Sequence, residues 1–178
     1  LPTTRLSRPN QTWALAYPEA FANPATPTVA ELNNNRFVHL ISCALTEDGT
    51  ELTISDSETD DTITFCDIGN VQTPTTNSLV ANLQWLVDAN TGGSGSTVDL
   101  TSLFNKVTAM LDYPDVPYWV ISRTGSGQDT AFAVGQVIKM GLFQTDLPTF
   151  VLDNNAPIKK AQAMVYQGSS NWNYTIAA

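Results

Sequence analysis

The stretch Ser78-Leu79-Val80-Ala81-Asn82-Leu83-Gln84-Trp85-Leu86-Val87-Asp88 decides the fold class. Leu79, Ala81, Leu83, Trp85 and Val87 fall on one side of an extended chain, and Asn82, Gln84 and Asp88 on the other. A period of two is that of a half-buried β-strand. Upstream, Phe37, His39, Ile41, Cys43 and Leu45 repeat the alternation. Glu47-Asp48-Gly49-Thr50 then carries Asp-Gly at its centre, a tight-turn signal, and Glu51 to Ser55 resumes a strand. Asp56 to Asp61 reads as an acidic loop, Thr62 to Cys66 as a strand, and Asp67 to Thr76 as a turn-rich connection.

Downstream, Thr91-Gly92-Gly93-Ser94-Gly95-Ser96 is a flexible linker. It leads into one helix, expected over 98–112. Ser96 with Asp99 resembles a capping box, and Leu100, Leu103, Phe104, Val107 and Leu111 recur at helical spacing. Tyr113-Pro114 stops it. Further strands are expected at Tyr118 to Thr124 and at Phe132 to Gln144, where Phe132, Val134, Ile138, Met140 and Leu142 are in phase. Thr145 to Pro157 reads as a loop. Ile158 to Gln167 and Trp172 to Ile176 read as a final hairpin turning at Gly168-Ser169-Ser170. The chain is therefore mainly β: a sandwich or barrel of about seven or eight strands, flanked by one helix that buries its stripe on the sheet.

Residues 1–35 hold Pro2, Pro9, Pro18, Pro24 and Pro27, each lacking a backbone donor. They read as an extended N-terminal arm before a single domain over 36–178. Trp13, Tyr17 and Phe21 punctuate the arm. They are its candidate contacts, with a neighbouring subunit or with its own domain.

The 178 residues suit one domain. Charged residues are 14%, against roughly 25% in typical soluble domains, and Thr, Asn and Ser fill the gap. Net charge is −9. That excludes an ordinary nucleic-acid grip, which needs Lys and Arg to displace counterions, and docking on anionic lipid. Between Arg36 and Lys106 there is no Lys or Arg, yet Glu47, Asp48, Glu51, Asp56, Glu58, Asp60, Asp61, Asp67, Asp88 and Asp99 all lie there. By itself this is a solvated acidic face. No apolar run reaches transmembrane length. Cys43 and Cys66 fall in phase with opposite companions, so both are expected as free thiols rather than a bridge.

Catalytic motifs are wanting. His39 is the single histidine, and one imidazole without Cys or His nearby makes no usual zinc site. Cys43 lies four residues along the same strand face, roughly 13 Å away, too far for a thiolate–imidazole pair. There is no Gly-x-Ser-x-Gly elbow and no phosphate-binding loop. The acids of 56–61 lack the Asp-x-Asp-x-Asp-Gly spacing of a calcium loop. No cofactor or metal is called for, and His39 is expected to be structural.

The run Ile54–Pro74 (ISDSETDDTITFCDIGNVQTP), followed by Leu79–Leu83 (LVANL), resembles the major tail proteins of long-tailed, non-contractile bacteriophages, especially those infecting actinobacteria. The order of a β-rich half, one Gly-preceded helix and further strands agrees with that family. The resemblance implies a structural virion protein, not an enzyme. It implies rings of six subunits stacked into a tail tube around a tape-measure protein, ended by initiator and terminator proteins, with double-stranded DNA passing through the lumen unbound and no membrane involved. It assigns contact with the adjacent ring to a loop carrying Glu47, Asp48, Glu51, Asp56, Glu58, Asp60 and Asp61. The polar side of the opening strand, Asn82, Gln84 and Asp88, is the expected lumen wall. Two other classes share the composition: a secreted β-sandwich stacking carbohydrate on Trp13, Trp85, Trp119 or Trp172, and a capsid decoration protein.

Overall fold

A computed structural model describes residues 10–55, 58–60, 73–76, 78–88, 98–99, 101–128, 130–152 and 157–177, with backbone alone at 58–60 and 73–76. The opening run forms β6 (Leu79–Leu86), and Leu79, Ala81, Leu83 and Trp85 are buried as the alternation requires. On one side it pairs with β3 (Glu51–Ile54), on the other with β10 (Lys159–Thr175). β10 continues onto β8 (Val137–Gln144), which pairs with β7 (Pro117–Thr124), then β1 (Gln11–Ala16), then β2 (Val38–Leu40). The order is thus β2-β1-β7-β8-β10-β6-β3, all antiparallel, with a short β9 (Thr149–Val151) beside β10. β4 (Glu58–Asp60) and β5 (Thr73–Thr76) make a separate two-stranded pair.

The sheet curls until its ends approach. Leu45 bridges to Trp85, and the Thr46 N–H donates to the Gln84 carbonyl at 2.8 Å. This brings the inner faces of β1 and β7 opposite those of β3 and β6. One cluster unites Leu15 and Val120 with Leu52, Leu83, Trp85 and Met164. The helix α2 (Leu103–Leu111) plugs the same core with Val107 and Leu111. The Trp85 indole, fully buried, donates to Thr108 Oγ1 at 3.1 Å, so its one polar atom is satisfied by the helix.

The central strands are buried on both faces. Ala14, Ala16, Trp119, Ile121, Ile138 and Met140 point away from the first core into a second. Its cover is the segment expected as an extended N-terminal arm, and here it packs on its own domain. Residues 11–35 do not extend outward: β1 sits inside the sheet, Pro18–Ala20 is a 3-10 turn, and α1 (Val29–Leu32) follows. Pro18 opens the 3-10 turn, where no backbone donor is needed, and Pro24 and Pro27 fall between that turn and α1, so they shape corners without breaking an element. Thr28 and Glu31 form a reciprocal capping box, with Glu31 Oε2 accepting from the Thr28 N–H at 2.9 Å. The first nine residues of the expected arm lie outside the described residues.

Other expectations shift as well. The strand expected over 37–45 ends at Leu40. Ser42–Ala44 and Glu47–Gly49 are 3-10 turns, which let the chain cross from the β2 edge to β6. Glu58 to Asp60, expected in a loop, is the strand β4. Val134 is 60% exposed and precedes β8, because Gly135 at φ +82° turns the chain there. The helix begins at Leu103, after Ser102 rather than Ser96; Asp99 instead caps Thr101, accepting from its N–H at 2.9 Å. The expected final hairpin is one 17-residue strand. Gly168 at φ +75° and Asn173 at φ +58° mark bulges, not a reversal. Eleven residues of β10 (165–175) face eight of β8 (137–144), and the three extra are absorbed in two register shifts.

Candidate assembly surfaces

Alternation on β6 and β10 puts Val80, Asn82, Ala161, Ala163 and Val165 on the face of the sheet away from the core. Glu51 and Thr53 of β3 extend that face, and both are exposed. Asn82 donates through Nδ2 to Glu51 Oε1 at 2.5 Å. The ammonium at the end of this face belongs to Lys159, and Asp48 holds it at 2.9 Å. That contact keeps the Asp48 carboxyl below the usual carboxylate range. The face is therefore small-residued and uncharged apart from one carboxylate and one ion pair.

The three expected lumen residues part company. Asn82 stays on this open face. Gln84 is buried: the turn at Glu47–Gly49 lies over it, and its Oε1 accepts from Thr46 Oγ1 at 2.6 Å. A Cβ on Gly49 would come within 2.6 Å of the Gln84 side chain, so only glycine lets the turn pack this closely. Asp88 leaves the sheet and accepts from Ser102 Oγ at 2.5 Å at the start of α2, where negative charge suits the helix N-terminus.

Of the acidic candidates, Glu47 and Asp48 sit on the exposed 3-10 turn and Glu51 on β3. Glu58 and Asp60 lie on β4, and Asp56 and Asp61 outside the described residues. The candidate arm aromatics all pack within the subunit. Tyr17 lies 5.4 Å from Tyr118 and edge-on to His39 at 5.8 Å. Phe21 meets Trp119 edge-on at 6.2 Å, and Trp13 packs partly buried against the first core. Trp85 and Trp119 are 0% and 3% exposed, which removes both as carbohydrate platforms. His39 is half-buried on β2; its pKa is held below the ordinary value by burial, and further by the Lys106 ammonium. Cys43 is exposed, and Cys66 lies outside the described residues.

Two features escaped sequence reasoning. Arg123, 1% exposed on β7, clamps the following loop to β1. Its Nη2 donates to Thr12 Oγ1 at 2.6 Å and to the Thr130 carbonyl at 2.6 Å, and its Nη1 to the Ala131 carbonyl at 2.9 Å and Gln136 Oε1 at 2.8 Å. The guanidinium also lies 4.6 Å over the Phe132 ring. Burial lowers its pKa, but guanidinium stays charged. The second feature is an exposed apolar strip around β9. It follows from the expected loop at 145–157 being partly strand.

Among the described residues, no group of three or more His, Cys, Asp or Glu could hold a metal ion, and no helix is long and apolar enough to cross a membrane. No curated protein matches the sequence. Among solved structures, the chain resembles the tail of an empty GTA particle, computed with helical refinement and C6 symmetry, at 13% identity and a TM-score of 0.44 over 78% of this chain and 87% of that one. The family profile described as phage tail tube protein matches residues 1–178, the whole chain, and the protein thus belongs to the phage tail tube protein family, as a structural component of the virion tail and not an enzyme.

Proposed function

We propose that six copies close into a ring, that rings stack into the tube of a non-contractile tail around a tape-measure protein, and that double-stranded DNA later slides through the bore during ejection. Initiator and terminator proteins bound the tube at its two ends. The outward face of β3, β6 and β10, carrying Glu51, Thr53, Asn82, Ala163 and Val165, is the bore wall. The observation behind this reading is chemical: the face offers small, mostly uncharged side chains, and its ammonium is already engaged by Asp48. A duplex finds no cation there to exchange for its counterions. Six copies would carry roughly −54 from the chain's −9, screened beyond about 10 Å at 0.1 M salt. The turn at Glu47–Gly49 and the acid-bearing β4–β5 pair contact the adjacent ring.

Negative-stain electron microscopy of purified protein over a concentration series tests this. Hollow tubes or stacked rings with a sixfold rotational average are expected. Solid filaments, or a different subunit count, would refute the ring. Particles that remain monomeric throughout would refute unaided self-assembly.

A further inference from the structure

We propose that the apolar strip around β9 is the seat of a second copy of this chain in the assembled tube; the assignment rests on the tube reading and names one of its contact surfaces. Tyr113, Leu147, Phe150, Leu152 and Ile158 are 67, 67, 63, 76 and 51% exposed, and Val98 beside them 43%. They come together for a structural reason. β9 pairs antiparallel with β10, setting Phe150 opposite Lys160, and Ile158 immediately precedes β10. Tyr113 follows the C-terminal end of α2, where the Thr145 hydroxyl donates to its carbonyl at 2.7 Å. Gln162 donates to the carbonyls of both Leu111 and Asp146, tying the helix end to the segment that carries Leu147.

Large apolar side chains at a sheet margin are what a soluble monomer avoids. At roughly 200 Å² for a large side chain, and at these exposures, the six present on the order of 700 Å². The largest patch on a typical monomer is about 300–600 Å², and a stable interface takes about 800 Å² from each partner. One such strip is nearly a full half-interface.

The chemistry of the adjoining groove narrows the occupant. Tyr113, Phe150, Ile158 and Val98 wall a cavity of 860 Å³. Polar groups on its floor are committed: Lys160 Nζ is bound to Asp112 at 2.5 Å and lies 5.1 Å over the Phe150 ring, and Thr108 holds the Trp85 indole. Such a groove accepts apolar side chains rather than an ion or a sugar. A second copy supplies them from a different part of its surface. This makes the contact head-to-tail, which closes rings or propagates tubes, whereas a self-complementary patch would stop at a dimer.

The test replaces Phe150 with the photo-crosslinker p-benzoylphenylalanine, which keeps the aromatic ring. Assembled tubes are irradiated, separated under denaturing conditions and mapped by mass spectrometry. Intermolecular products joining residue 150 to a second chain are expected, and they should vanish in the disassembled monomer. Tubes yielding only intramolecular products, or none, overturn the assignment, because then the chain covers its own strip or leaves it open. Independently, Leu152→Glu should raise the concentration needed for tubes at least tenfold with an unchanged circular dichroism spectrum; tubes at the wild-type concentration overturn the assignment too. Where the purified chain forms no tubes unaided, the crosslinker is carried into tails assembled in cells, with the same two outcomes; solid filaments refute the tube reading, and this assignment with it.

Discussion

Replacing Arg123 with methionine keeps the stem against Phe132 and removes every guanidinium bond. The bonds lost run from 2.6 to 3.2 Å, to the Thr12 hydroxyl, the Gln136 amide oxygen and the carbonyls of Gly127, Thr130 and Ala131. They are not equal. Thr130 and Ala131 are exposed and can turn to water, but Thr12 is 0% exposed and Gly127 half-buried. The Gly127 carbonyl keeps the Thr130 N–H at 3.0 Å and the Thr12 hydroxyl at 3.2 Å, so the acceptor left without its donor in a poorly solvated site is Thr12 Oγ1, at about 1–3 kcal/mol. Replacing a buried charge with an apolar side chain recovers desolvation free energy, but here the polar partners stay behind. The net destabilisation is about 2 kcal/mol, which is about 4–8 °C in Tm for a chain of this size. Urea unfolding of the monomer followed by tryptophan emission measures it. Adding Thr12→Val should recover part of the loss, because it removes one stranded group; the two substitutions touch, so their effects should not add. Arg123→Met within about 0.5 kcal/mol of wild type, a typical surface effect, would refute the clamp.

Trp85→Ala should cost about 3–5 kcal/mol as a cavity beneath α2, and Trp85→Phe about 1 kcal/mol for the lost bond to Thr108, both read in the same urea assay. His39 carries a pH dependence whose sign follows from its burial. The folded chain favours the neutral ring, so its contribution is complete above about pH 6.5 and is lost as the pH falls through the lower folded-state value. Thermal unfolding from pH 8 to 5 should show this decline, and His39→Gln should flatten it; an unchanged slope would assign the decline to carboxylates instead. Asn82→Lys with Ala163→Lys adds cations to the proposed bore wall. Such tubes should retain duplex DNA at about 50 mM salt and release it near 200 mM, and failure to retain any would count against that face as the bore.

The first core was legible because its strands are half-buried. Leu79, Ala81, Leu83 and Trp85 alternate about Asn82 and Gln84, and α2 shows its stripe. The second core was not. β1 is buried on both faces, so Trp13-Ala14-Leu15-Ala16 shows no alternation, and its cover is broken by prolines that suggest a loose arm. One local signal was available: Thr28-Val29-Ala30-Glu31 has the spacing of the capping box that starts α1. β10 was divided at Gly168 because glycine marks bulges and reversals alike. Gln84 was misassigned because alternation names a strand's outer face but not what folds over it; the turn holding Gly49 comes from more than thirty residues earlier. Arg123 has no sequence signature at all, since its acceptors are mostly backbone carbonyls.

The place of β10 in the strand order has a consequence for how the subunit is made. Of the described strands it comes latest in the sequence, and the half-sheets β2-β1-β7-β8 and β6-β3 pair along it. The second core waits on the same event, because Ile176 lies in it and Ala177 bridges to Thr28 beside α1. Contacts between segments this far apart in sequence are the slowest kind to form. Until β10 docks, the subunit holds two unjoined halves, and a copy whose β10 pairs out of register never acquires the native outer face. Docking of β10 and acquisition of a surface able to join a neighbour become the same step, so the fold itself screens misfolded copies out of the polymer.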